Sequence, residues 1–92
     1  MAAGANAPAD AHYQLGRALA HQEAWVEAAA AFERAAELAP ANAYAHYYAG
    51  LMYSRGRRVD RMAVHFEQFL KLAPEAPERA QVMQTMRTVR GR

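Results

Sequence analysis

The chain contains no cysteine. That excludes a disulfide framework, a thiolate metal site and a cysteine nucleophile, and it fits a reducing compartment. Hydroxyl nucleophiles are scarce: Ser54, Thr85 and Thr88 stand alone, without the histidine and carboxylate partners that activated hydroxyls need. Both aspartates, Asp10 and Asp60, fall where helices are expected to begin. No enzyme is expected. No apolar run approaches the ~20 residues of a membrane span. The first eight residues, Met1 to Pro8, hold no basic side chain and no apolar core, so they do not form a secretory signal. They are expected to be a flexible lead-in, and the chain to be cytoplasmic with no membrane partner. The four histidines, His12, His21, His46 and His65, have no histidine or cysteine three or four residues away. Metal-ligand spacing is therefore missing, and no metal or cofactor is expected.

The 92 residues allow one domain with a limited core. The apolar fraction of 53% is inflated by alanine, the best helix former and a poor core filler. A formal net charge of +2 hides an uneven distribution. Residues 1–46 carry two arginines against five acidic side chains, and residues 47–92 carry nine basic against four acidic. Such a dipole favours head-to-tail contacts, or it is a chance segregation on solvated faces. Arg55, Arg57, Arg58 and Arg61 cluster in the second half. A nucleic-acid module would show a larger basic excess and its own fold signature, so a solvated turn is expected and no nucleic acid.

The chain also repeats itself. His12-Tyr13-x-x-Gly16 returns 34 residues later as His46-Tyr47-x-x-Gly50. Phe32-Glu33 returns as Phe66-Glu67, and Leu38-Ala39-Pro40 as Leu72-Ala73-Pro74. This period is that of a helix-turn-helix unit stacked on its own copy. Punctuation by proline, glycine and Asn42 places five helices. They are expected over about 9–21, 25–39, 43–55, 59–73 and, opening at Pro77, 77–89. Gly16 and Gly50 fall inside helices, where each costs ~1 kcal/mol relative to alanine. A cost accepted twice at one repeat position implies a close helix approach.

These residues resemble the tetratricopeptide repeat. The first copy supplies His12, Leu15, Gly16, Leu19, Ala28, Phe32, Ala35 and Pro40; the second supplies His46, Ala49, Gly50, Tyr53, Met62, Phe66, Phe69 and Pro74. The resemblance implies an all-α fold, a short right-handed α-solenoid of antiparallel helix pairs. Repeats would occupy residues 9–42 and 43–76, with a capping helix and tail over 77–92. Histidine stands at both positions where the family usually has tryptophan. Ala49 and Met62 exchange small and large residues, so Met62 is expected to fill the space that Ala49 leaves. Phe69 is expected to pack under Ala80, Met83 and Met86.

In this family the first helix of each repeat lines a concave groove. The matching positions give a binding surface of Tyr13, Arg17, Tyr44, Tyr48, Leu51 and Arg55, rich in the residue types that anchor interfaces. The other reading is that these tyrosines cover a thin core. Positions used by family members to grip acidic chaperone tails hold Tyr13, Arg17, Tyr48, Glu78 and Val82, so that clamp is missing. The resemblance implies an adaptor or scaffold whose partner is a protein or peptide. Two alternatives stand beside it. The chain could complete its burial as a homodimer or larger self-assembly, since three or more repeats are usually needed for stability; or it is a piece of a longer protein. Its arginine and alanine bias suggests a bacterial origin.

Overall fold

A computed structural model describes residues 7–90 of the chain. Among them are five helices: α1 (Ala7–His21), α2 (Trp25–Leu38), α3 (Ala43–Arg55), α4 (Val59–Leu72) and α5 (Arg79–Arg90). Each packs against the next in chain order, as stacked helix pairs require. Helix α1 begins inside the stretch expected to be lead-in, with Ala7 and Pro8 already helical. Residues 1–6 and 91–92, the rest of the expected lead-in and tail, lie outside the described residues.

The two inter-helix turns are built alike. Ala24 N–H donates to the Leu19 carbonyl and Glu23 N–H to Ala20, at 3.0 and 2.9 Å. Arg58 N–H donates to Tyr53 and Arg57 N–H to Ser54, at 2.8 and 3.1 Å. This is the Schellman closure, which needs a left-handed residue after the helix. Glu23 and Arg57 take that role, with φ of 59° and 63°. Glycine was the expected stop, but Gly56 precedes the left-handed position and has φ −85°. It serves closeness instead, because a Cβ there would lie 2.8 Å from Val26 Cγ2 of the first repeat.

Asn42 caps α3, its side-chain oxygen accepting from Tyr44 and Ala45 N–H at 3.1 and 3.2 Å. The core is a continuous cluster of Ala28, Phe32, Tyr47, Ala49, Met52, Tyr53, Met62, Phe66, Phe69, Val82 and Met86. Ala49 and Met62 are both fully buried within it. The repeat glycines face aromatic rings, Gly16 under Phe32 and Gly50 under Phe66.

Expectations for α5 and for Leu15 are corrected. Pro77 does not open α5; it lies in a turn, and the helix starts at Arg79. Consequently the face turned to the core is Val82 and Met86, with Val89 packed beside them, whereas Ala80 and Met83 are exposed. Phe69 is buried against the rings of Tyr47 and Tyr44, at 5.1 and 5.5 Å between centroids. Leu15 is also not a packing residue here. It is 49% exposed, whereas its repeat counterpart Ala49 is fully buried. Helix α2 covers Ala49's side of α3, and α1 has one major helical neighbour, α2.

Candidate functional site

Helices α1 and α3 both pack on α2 and leave a concavity of about 410 Å³ between them. It is lined by Tyr13, Arg17, Ala20 and His21 from α1, Phe32 from α2, and Tyr48, Leu51 and Met52 from α3. Tyr13 and Arg17 share a face because they are four residues apart in a helix; Tyr48 and Leu51 are three apart. The aromatic rings fix one another. Tyr48 stacks on Phe32 at 5.4 Å, and Tyr13 meets both edge-on, at 5.3 Å to Phe32 and 6.0 Å to Tyr48. Such pairs add about 0.5–1.5 kcal/mol beyond their buried area. Burial, and then the neighbouring Tyr48, push the Tyr13 hydroxyl above its ordinary value, while Arg17 pulls the other way. The wall is thus uncharged and half-buried, with the exposed Arg17 and His21 at its rim.

The six residues assigned to a groove from sequence divide. Tyr13, Arg17, Tyr48 and Leu51 come together around this concavity. Tyr44 and Arg55 are not among its lining residues. Tyr44 turns toward the start of α5, where its hydroxyl donates to Glu78 Oε1 at 2.8 Å. That hydrogen bond, and then burial, raise the Tyr44 hydroxyl pKa. The Arg55 guanidinium lies 5.1 Å from the centroid of the Trp25 ring, a cation–π contact joining the end of α3 to the start of α2. Glu78 is therefore held by Tyr44, and Val82 is core at 1% exposure. Neither is available to grip a carboxylate.

A second polar cluster has no counterpart in the sequence reading. Glu33 of α2 accepts from the Tyr53 hydroxyl at 2.8 Å and lies 3.0 Å from His65 Nε2. On its other side His65 meets His46, Nδ1 to Nδ1, at 3.2 Å. Arg61 stands over the Tyr53 ring at 5.8 Å and 3.8 Å from Glu33 Oε2. Burial pushes the Glu33 carboxyl upward, but the hydrogen bonds from His65 and Tyr53 and the charges of His65 and Arg61 together hold it below the ordinary range. Burial, then the charge of His65, push the His46 imidazole down; the Pro40 carbonyl, as an acceptor, opposes them. Spacing along one helix could not reveal this cluster. The signal that could is antiparallel pairing: His46 and His65 flank the Arg57 turn and meet across the helix pair.

The remaining arginines of the basic cluster, Arg57, Arg58 and Arg61, surround the α3–α4 turn and are exposed. Among the described residues, no group of three or more histidine, aspartate or glutamate side chains is arranged to hold a metal ion. No described helix is long and apolar enough to cross a membrane.

Comparison with curated proteins and with solved structures found no match. Residues 9–42 match the family model of the tetratricopeptide repeat. That span is α1 and α2 with their connecting turns, and α3 and α4 repeat its Schellman turn and its glycine-under-phenylalanine contact. The match covers 34 of the 92 residues, and together with the five-helix all-α fold it fits a tetratricopeptide-repeat protein.

Proposed function

We propose that the chain is a protein-binding module that seats an apolar segment of another protein in the concavity between α1 and α3. Tetratricopeptide repeats in general mediate protein–protein interaction. The observation that carries the finer reading is the wall itself. Tyr13, Tyr48 and Leu51 are only half-buried around about 410 Å³ of space, beside the exposed Arg17. Their rings are already ordered by contact with Phe32, so little side-chain freedom is lost when a ligand covers them. An extended or helical segment bearing large apolar side chains suits such a wall.

The test is capture of partners from the native lysate on immobilised protein, repeated with Leu51→Ala and Tyr48→Ala after both are shown to be folded. Removing a central anchor costs about 2 kcal/mol, roughly thirtyfold in affinity. Retention of every partner by both variants refutes the groove. A second reading, self-assembly, is favoured by the exposed Leu15 and by the acidic first and basic second half. Light scattering over a dilution series decides it, since a folded monomer at micromolar concentration rules out obligate assembly.

A further inference from the structure

We propose that the Glu33–His65–His46 chain is a pH-sensitive latch on the second helix pair, anchored to the first repeat through Glu33, closed while the histidine pair holds at most one added proton and released when a second enters. The latch crosses the repeat boundary, because Glu33 belongs to α2 and both histidines to the following pair, α3 and α4. The groups facing the pair are Glu33 from α2, Tyr53 from α3, Arg61 from α4 and, toward His46, the Pro40 carbonyl of the turn before α3. His65 is 7% exposed, so its ring nitrogens depend on these partners and not on water.

Proton counting fixes how the latch works. A carboxylate only accepts, so the His65 nitrogen facing Glu33, Nε2, carries a hydrogen and donates. Neutral His65 then presents a lone pair at Nδ1, and His46 must donate to it from its own Nδ1. One added proton is tolerated. It can rest on the far nitrogen of His46, or on His65 with the Nδ1–Nδ1 bond reversed in direction, and Glu33 balances its charge. A second added proton is not tolerated. Both Nδ1 atoms would then bear hydrogens across 3.2 Å, and two cationic rings would stand 5.4 Å apart. The His46–His65 contact must open, and α3 loses its polar tie to α4, while the protonated His65 keeps its bond to Glu33. The downward displacement of His46 has the same sense.

The slope follows from linkage. Once opened and hydrated, each histidine returns to an ordinary value near ~6.5. Below that pH the opened pair holds one proton more than the closed pair. The opening equilibrium therefore rises about tenfold for each pH unit lost. The contribution is fully present above ~6.5 and is lost as pH falls through the lower second step of the closed pair.

The experiment uses the full chain in two measurements between pH 7 and 5. Imidazole NMR should show His46 protonating below the ordinary histidine range in the wild type and moving back toward it in His65→Gln. Amide exchange along α3, corrected for intrinsic chemistry, should accelerate about tenfold per pH unit below ~6.5 in the wild type and in His12→Gln. The same acceleration should be absent in His46→Gln. Equal pH dependence in wild type and His46→Gln overturns the latch. Should His46→Gln fail to fold, the wild-type NMR decides alone: a His46 that titrates at the ordinary histidine value refutes the proposal.

Discussion

Alanine placed at the two repeat glycines separates packing from helix propensity. Both glycines sit inside helices, so Gly16→Ala and Gly50→Ala gain the same ~1 kcal/mol of propensity. They differ in what the new Cβ meets. At Gly50 it would lie 2.5 and 2.7 Å from Phe66 Cδ1 and Cε1; at Gly16 the nearest approach to the Phe32 ring is 2.9 Å. They differ also in the room left to the ring. Phe32, although 2% exposed and in contact with Tyr13 and Tyr48, lines the α1–α3 concavity and so has open space on one side. Phe66 is 1% exposed, within the core and close to the Tyr47 ring. Overpacking costs about 1–3 kcal/mol, near the upper end where no relief exists. The propensity gain offsets part of this, leaving Gly50→Ala about 2 kcal/mol less stable and Gly16→Ala close to wild type. For a domain of this size that is a fall of about 8–16 °C in the Gly50→Ala midpoint. Urea and thermal unfolding of the three proteins, with m-values shown to be equal, provide the measurement. A Gly50→Ala protein as stable as wild type, or equal losses at both sites, refutes the reasoning.

Two further substitutions probe the second repeat. Met62 is fully buried in the core shared with Ala49, so Met62→Ala should cost ~2–5 kcal/mol by leaving a cavity, read as a lower urea midpoint. A loss well under 1 kcal/mol would show that Met62 does not fill the space beside the small residue. Arg57 holds a left-handed φ of 63°, which disfavours any residue with a Cβ by about 1–2 kcal/mol. Arg57→Gly should therefore raise the urea midpoint by the equivalent of about 0.5–1 kcal/mol, after the extra unfolded-state entropy of glycine is deducted. A fall in the midpoint would mean that the side chain contributes more than its backbone strain.

The repeat register carries most of the fold. Once His12-Tyr13-x-x-Gly16 is matched to His46-Tyr47-x-x-Gly50, the same spacing places both helix pairs, both phenylalanines and both turns. Asn42 as a cap is equally readable, because its side chain acts within three residues of its own position. The misplaced features all depend on three-dimensional neighbours. Leu15 and Ala49 occupy one repeat position, yet one is half-exposed and the other buried, because α2 packs against α3 on the side where α1 has no described helix. The face of α5 shifted because the turn through Pro77 delays its start to Arg79. Arg55 left the groove for the Trp25 ring, a partner in the preceding repeat.

The contacts that the repeat register does not reveal share a location. Trp25 with Arg55, Val26 with Gly56, and Glu33 with His65 all join residues of the first repeat to residues of the second. None occurs within a single repeat, so the repeat pattern, which describes one unit and its copy, does not encode them. Each uses a chemistry that the other copy lacks at the same register: the positions equivalent to Arg55, His65 and Trp25 are His21, Ala31 and Val59. Stacking order is therefore specified by the differences between the copies. A two-repeat chain assembled from its first copy alone would keep the glycine-under-phenylalanine contact inside each pair and lose the cation–π contact and the buried histidine chain. The seam between the repeats is where this sequence departs furthest from its own repetition, and it adjoins the concavity, since Met52 lines the space and packs in the same core as Met62 and Phe66.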